Sequence, residues 1–343
     1  MRNNYFFLKI KLFSLACFKR KITLRKVWNV FLCSLFFLLK TKRSGPAPFI
    51  LSLELGNECN ANCLFCRDAK GVIHDINKIN PLPGGITKGV MPYEMAANLV
   101  SQVKDDALIV VLYTNGEPLL YKDLSRLIAF CSANQMMSMI ATNGLLLNEQ
   151  NIREILGASI DFIKIQLSGF TQEIYNVQVR CGNVERLKQN IRLLVDTRKA
   201  MKSSTFIMID FIQYNYNRHQ LLLVREFCRD LGVALSVRCG NPQGGLEGRE
   251  PSQSLEPLPL LMSCDWLWKG MQVNFNGEIL PCCDGVIFSG SKPYHVVGAG
   301  STDIRQIWNG EAAQKMRHLI VTQGRGAVPL CAVCYRKGVA FKW

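Results

Sequence analysis

The first 43 positions of this 343-residue chain contain no acidic residue, yet they carry eleven lysines and arginines. The rest of the chain holds thirty basic and twenty-six acidic groups, a net of only +4. So near-neutral a body lacks the basic face of a nucleic-acid binder and excludes that class of partner. A bilayer-spanning run is also missing. Such a helix needs ~20 apolar residues, and the N-terminal stretch VWNVFLCSLFFLL (27–39) offers thirteen residues, mostly apolar. It is followed by KTKRSGPAP, with no small-residue cleavage site of the kind a secretory signal requires. The fourteen cysteines do not form the framework of a small secreted domain. Some stand alone in apolar surroundings (Cys131, Cys228), and the others bunch as C-x2-C and C-x3-C. That pattern predicts a reducing, cytoplasmic setting with metal ligation. No internal repeat is present.

Clustered Lys and Arg around Trp, Phe and Leu in residues 1–43 predict a helix lying in a membrane interface, peripheral on the inner face. The alternative is a pair of N-terminal helices packed on the domain. After GPAP, short apolar runs alternate with amphipathic stretches. FILSLEL (49–55), ALIVVLYT (107–114), QMMSMIAT (135–142), DFIKIQL (161–167), TFIMIDFI (205–212) and VALSVR (233–238) read as strands. PYEMAANLVSQVK, LSRLIAFCSAN, NEQNIREILG, VERLKQNIRLLVDTRKA and RHQLLLVREFCRDLG read as helices. This alternation predicts an α/β fold with a parallel sheet, a partial barrel of six β/α units open on one side. Residues 70–91 form a long Gly/Pro-containing loop. The composition of 241–261 is that of a linker. Beyond it, 262–343 form a small Cys-rich unit with a hairpin signal, FNGE, between alternating runs.

ECNANCLFC follows the first strand directly and holds Cys59, Cys63 and Cys66. In parallel β/α folds the carboxyl ends of strands carry the active site. Three thiolates leave a fourth metal position open, and a structural zinc would need another protein ligand there; spacing alone leaves His74 as one candidate. With Phe65 in its aromatic place, C-x3-C-x-aromatic-C resembles the radical S-adenosylmethionine superfamily. NGEPLL (115–120), ATNGLLL (141–147), IQLSGFTQEIYNVQVRCGN from 165 and NRHQLLLVREFCRDLGV from 217 resemble further segments of that family over roughly 48–240. Asn115 replaces a usual glycine, and Gln166 and Ser168 replace a usual Ser and Asp. The resemblance implies a TIM-like partial (β/α)6 barrel and a [4Fe-4S] cluster on Cys59, Cys63 and Cys66, with S-adenosylmethionine on the open iron. It also implies cofactor contacts from Phe65, Gly116, Glu117, Pro118, Asn143, Gln166, Ser168 and Arg180. An external one-electron reductant such as flavodoxin or ferredoxin completes the implied set.

Cys264, Cys282, Cys331 and Cys334 resemble a SPASM/Twitch extension, with Gly277 five positions before Cys282. Four cysteines suit one fully ligated auxiliary [4Fe-4S] cluster, a second in the chain. The same spacing permits a four-cysteine zinc ribbon. Gly277 selects Cys282 over its neighbour Cys283. The resemblance implies a 5′-deoxyadenosyl radical that abstracts hydrogen, and an oxidoreductase-like outcome with the auxiliary cluster accepting an electron. The expected substrate is a small polyol, sugar or other glycan, or a lipid-linked molecule. A peptide-modifying enzyme is the alternative, and a membrane-tethered iron–sulfur or zinc protein is the reading outside enzymes.

Overall fold

The computed structural model describes residues 13–61, 63, 89–239, 264–282, 294–297 and 303–332. Phe65, Cys66, His74, Cys283 and Cys334 lie outside the described residues. Six strands follow in chain order: β1 (Ile50–Leu53), β2 (Ile109–Val111), β3 (Met137–Thr142), β4 (Phe162–Gln166), β5 (Phe206–Gln213) and β6 (Ala234–Cys239). Each pairs in parallel with the next, as in Ile50↔Ile109, Met139↔Phe162 and Met208↔Ala234. The helices between them are α2 (Tyr93–Val103), α3 (Leu124–Ala133), α4 (Glu149–Gly157), α5 (Gln172–Asn176), α6 (Val184–Ala200) and α7 (Leu221–Leu231); α1 (Leu24–Leu38) precedes β1. α6 shows why these stretches are helical. Asn183 caps its start by accepting from Arg186 N, and Leu187, Ile191 and Leu194 recur on one buried face.

Alternation along the strands builds two apolar layers. Leu51, Leu53, Val110, Ile140, Ile163, Ile165, Ile207 and Ile209 face the helices in the main core. Ile50, Val111, Met139, Phe162, Phe206 and Met208 face inward and meet one another across the barrel. Each such side chain stabilises the fold by roughly 1.5–3 kcal/mol. The strands are therefore buried on both faces, which is what their continuous apolar runs require.

The Cys-rich region extends the same sheet. β7 (Gly270–Val273) pairs in parallel with β1, in the register Ile50↔Gly270, and then turns back into β8 (Glu278–Leu280). The predicted FNGE turn is present, with Gly277 at φ +84°, a left-handed conformation that favours glycine. β9 (His295–Val296) completes the order β6-β5-β4-β3-β2-β1-β7-β8-β9. The sheet is thus an incomplete barrel whose described edges are β6 and β9.

α1 packs beneath the N-terminal ends of the strands. Asn29 Nδ2 donates to Ala47 O and Asp106 O, both at 3.0 Å, and Arg25 pairs with Asp106. Lys26 donates to Gln135 O. Lys21 and Lys19, just before α1, reach Asp161 at 2.7 and 3.0 Å. Part of the basic excess of this segment thus neutralises buried acids of the barrel. The opposite face of α1 is apolar and open to solvent: Leu24 is 91%, Trp28 59%, Phe31 50% and Leu38 73% exposed. Among the described residues, no helix is long and apolar enough to cross a membrane.

Asp161 is fully buried and also accepts from Ser138 N at 2.8 Å. Asp161→Asn leaves two lysines without their counter-charge, and breaking such a pair costs roughly 3–5 kcal/mol. Urea denaturation of the full chain is expected to show a loss of that order, and a loss below ~1 kcal/mol would show that the pair does not hold the segment in place.

Candidate active site

The C-terminal ends of β1, β2, β3 and β4 meet at one edge because their parallel register is close to level. After β1 the chain runs through Gly56 and Glu58 to Cys59. After β2 it runs through Asn115, Gly116, Glu117 and Pro118. The two loops touch: Glu117 N donates to Glu58 O at 2.8 Å. A Cβ on Gly116 would stand 2.1 Å from Gly56 O and 3.0 Å from Glu58 O, so only glycine permits this approach.

The Glu117 side chain is buried and ties in the third strand. It accepts from Thr142 Oγ1 at 2.7 Å, from Asn143 N at 2.9 Å and from Leu119 N at 3.1 Å. Asn143 in turn lies with Nδ2 2.8 Å from Asn60 Oδ1 and 3.6 Å from Cys59 Sγ. Cys63 forms a β-bridge with Val179, beyond α5. Tyr175, on α5, is buried, and its phenol is held above its usual pKa first by burial and then by the nearby Cys63 and Cys59.

Three buried polar atoms near the end of β4 have no hydrogen-bond partner: Gln166 Nε2, Ser168 Oγ and Tyr175 Oη. Buried polar groups are normally paired, so orphans at the end of the barrel that carries Cys59 and Cys63 indicate room for a polar ligand. The structure therefore gathers Cys59, Cys63, Gly116, Glu117, Pro118, Asn143, Gln166 and Ser168 at one end of the barrel. Arg180 is exposed on the turn after α5.

Cys264 and Cys282 of the second expected group lie at the opposite end. Cys264 precedes α8 (Trp266–Lys269), which leads into β7, and Cys282 follows β8. Antiparallel pairing of Gln272 with Leu280 returns Cys282 to the level where β7 begins. Cys264 and Cys282 pack on the inner apolar layer, and Cys282 and Cys331 on a smaller cluster around Trp268. Among the described residues, no group of three or more His, Cys, Asp or Glu is placed to hold a metal ion. One cysteine of each expected set, Cys66 and Cys334, falls outside them.

The inner face also carries residues that the sequence reading passed over as strand interior: Tyr113, Lys164, Asp210 and Arg238. For Lys164 and Asp210 the signal was a charge at inward spacing within an apolar run, as in FIKIQ and FIMIDF.

The family model described as "Radical SAM superfamily" matches residues 53–220, and that of SPASM, "Iron-sulfur cluster-binding domain", matches 264–335. The chain belongs to the radical SAM superfamily. Within it, this protein carries the SPASM extension. The cofactors of this architecture are S-adenosylmethionine and a [4Fe-4S] cluster, with further iron–sulfur in the SPASM region. The orphaned polar atoms and the tight Gly116 approach fit such a group at the Cys59 end.

A "Probable GTP 3',8-cyclase" of Methanocaldococcus jannaschii is 27% identical over 189 residues, 54% of this chain and 57% of that protein. The GTP 3',8-cyclase of Clostridium botulinum is 24% identical over 46% of this chain and 47% of its own. The chain thus spans only about half the length of these curated relatives. Streptococcus suis SuiB shares the fold at TM-score 0.61 and 14% identity, over 80% of this chain and 69% of that one. BtrN in complex with AdoMet and 2-DOIA shares it at TM-score 0.55 and 18% identity, over 86% and 96%.

Burial pushes the Glu117 carboxyl from 4.5 up to about 7, against the pull of Thr142, Asn143 and Leu119. Between those two values the native chain holds a proton that the unfolded chain releases. Stability therefore falls as pH rises from 4.5 to about 7 and levels off above it. The contribution is on the order of 3 kcal/mol. Glu117→Gln should remove this slope from denaturation curves of the S-adenosylmethionine-free protein. Equal slopes in the two proteins would contradict the assignment.

Proposed function

We propose that this protein is a radical S-adenosylmethionine enzyme that oxidises a small hydroxylated molecule, a polyol or sugar, held inside the barrel. The observation that carries the reading is the placement of two cysteine groups at opposite ends of one sheet, with a partly polar inner face between them. Cys59, Cys63 and Cys66 would hold the first [4Fe-4S] cluster, and Cys264, Cys282, Cys331 and Cys334 the second. When bound, the first with S-adenosylmethionine supplies a 5′-deoxyadenosyl radical for hydrogen abstraction, and the second an acceptor for one electron.

Gly116 and Glu117 shape the cradle for the methionine end, and the Gly116 approach brings backbone carbonyls to its edge. Glu117 at the cradle's base offers a carboxylate to an ammonium. Gln166 Nε2 and Ser168 Oγ supply polar contacts to ribose hydroxyls. The apolar inner layer below them excludes water. At the substrate, a carbinol carbon loses one hydrogen atom, then one proton and one electron, and becomes a carbonyl. A peptide substrate is the second reading.

Replacing Cys59, Cys63 and Cys66 together by Ala is expected to abolish reductive cleavage of S-adenosylmethionine while the iron of the SPASM region remains. Retained cleavage in this variant would reject the assignment.

The proposal extends to location: the enzyme docks peripherally on an anionic membrane through the outer face of α1. Its support is the exposed Leu24, Val27, Trp28, Phe31, Leu38 and Leu39 beside the exposed Lys40, Lys42 and Arg43. Apolar burial contributes ~25 cal/mol per Å² and resists salt, whereas charge attraction is screened. Flotation of the full chain with anionic vesicles should therefore fall, but not vanish, at high salt, and Trp28→Glu with Phe31→Glu should abolish it. Flotation unchanged by the double variant, or absent in the wild type, would reject docking by this face.

A further inference from the structure

After β9 the chain forms α9 (Ile304–Trp308) and α10 (Glu311–Gln323). Ala313, Arg317 and Ile320 recur at helical spacing on the buried face of α10, so an arginine stands where an apolar residue would pack. Arg317 is 1% exposed. Its Nε donates to Leu267 O at 2.8 Å and its Nη2 to Trp308 O at 2.9 Å. Its Nη1 donates to Lys42 O and to Asn309 Oδ1, both at 3.3 Å. The guanidinium also lies over the Trp308 ring, 4.4 Å from the centroid. These contacts come from the N-terminal segment, the stretch after Cys264 and the end of α9, so the cation is fixed in place by separate parts of the chain.

Every one of those acceptors is neutral. Among the described residues no carboxylate offsets the charge, and burial lowers the guanidinium to about 10, so it stays protonated at neutral pH. A buried charge without a counter-ion is unfavourable, and hydrogen bonding alone asks for donors rather than for charge. The surroundings of Arg317 point to the anion. Leu267 and Ile320 form, with Trp268 and Val328, the apolar cluster on which Cys282 and Cys331 pack. Cys264 lies three residues before Leu267 and packs with Cys282 on the inner layer. Arg325 Nη2 donates to Cys331 O at 3.2 Å and fixes the stretch that carries this cysteine. Tyr294, its phenol held above the usual pKa first by burial, is within electrostatic reach of Arg317, Cys282 and Cys331 alike. Three cysteines of the SPASM region thus border the ground that holds the uncompensated cation, and the residues present fit an anionic cluster there. Four thiolates on a [4Fe-4S] core leave a net negative charge that grows by one unit on reduction, so a fixed cation favours the reduced form more than the oxidised one.

We propose that Arg317 is the buried counter-charge of the SPASM [4Fe-4S] cluster and raises its reduction potential, so that it can take up the electron released at the substrate. The proposal rests on the radical-enzyme reading and deepens it at the second site. In that reading the carbinol carbon gives one hydrogen atom to the 5′-deoxyadenosyl radical, one proton to water and one electron to the oxidised cluster. Arg317 makes and breaks no bond in this sequence; it sets how favourable the last transfer is.

The test uses the full chain, reconstituted anaerobically with iron and sulfide, as wild type, Arg317→Lys, Arg317→Gln and Arg317→Met. Iron content is measured, and each cluster is titrated potentiometrically through the paramagnetic signal of its reduced form. Removing the charge should disfavour reduction of the SPASM cluster by about tenfold or more, a fall of ~59 mV for a one-electron couple, and leave the potential of the first cluster unchanged. Arg317→Lys should stay within a few-fold of the wild type. Loss of the second cluster's iron from both neutral variants, with Arg317→Lys keeping it, would also uphold the proposal, because charge is then what the site requires. Three results would overturn it: equal potentials in the wild type and a neutral variant that holds both clusters, an Arg317→Lys shift as large as that of the neutral variants, or loss of the second cluster from all three. Addition of S-adenosylmethionine reports on the radical reading separately. A charge-dependent potential with no cofactor-induced change at the first cluster would uphold Arg317 and reject the radical chemistry, whereas a wild type without a second iron–sulfur cluster would reject both.

Discussion

Three strand ends are joined through one residue, Glu117. Its backbone N–H fixes the loop after β1 at Glu58, and its carboxylate takes donors from Leu119 after β2 and from Thr142 and Asn143 at the end of β3. Burying a carboxylate is unfavourable, and three donors reduce that cost without cancelling it. They do so only if all three loops are in place, so the arrangement is cooperative. Cys59 is positioned through the same connection, since Asn143 bridges from Glu117 to its thiol. The Gly116 approach depends on it too, because a Cβ there would force the β1 and β2 loops apart.

From that edge the barrel is layered. At the top lie the thiols of Cys59 and Cys63 with the unpartnered Gln166, Ser168 and Tyr175. The same inner face carries Lys164, Asp210 and Arg238, staggered along the strands, and then the apolar floor of Phe162, Phe206 and Met208. At the far end, where β7 joins β1, lie Cys264 and Cys282. Each layer follows from alternation along parallel strands, so a polar residue two positions beyond a floor residue must face the same interior. The interior thereby separates the two cysteine groups by a strand length, roughly 15 Å at ~3.3 Å per residue. α1 closes the floor from beneath and leaves the strand C-terminal ends untouched, so the apolar surface it exposes faces away from the cysteines of the first group.

Much of this was legible in the sequence because the signals were local. Five of the six strands lie within a residue or two of their apolar runs, and β2 stops three residues short of the end of its run. The FNGE turn was legible because a glycine at positive φ is a backbone requirement. The Cys59, NGEP and TNG segments were legible because each sits at a strand end. Two things were not. The continuation of the main sheet by β7 depends on pairing with β1 across more than two hundred residues, and no local pattern records a partner. The roles of Lys19, Lys21 and Arg25 were hidden for a similar reason. In sequence they look like an excess of surface charge, yet Asp161 and Asp106, which they neutralise, lie 81 to 142 positions away. Lys164 and Asp210 gave a weak signal, a charge inside an apolar strand, that acquires meaning only once the inward face is known.

The central claim is that one barrel carries two iron–sulfur sites of different character, one open to S-adenosylmethionine at the Cys59 end and one closed at the Cys264 end. Mössbauer spectroscopy of protein reconstituted anaerobically with ⁵⁷Fe tests it directly. The account predicts about eight irons per chain in two [4Fe-4S] clusters, with S-adenosylmethionine perturbing the signal of one cluster and leaving the other unchanged. A single cluster, zinc in place of iron, or a spectrum indifferent to S-adenosylmethionine would contradict it.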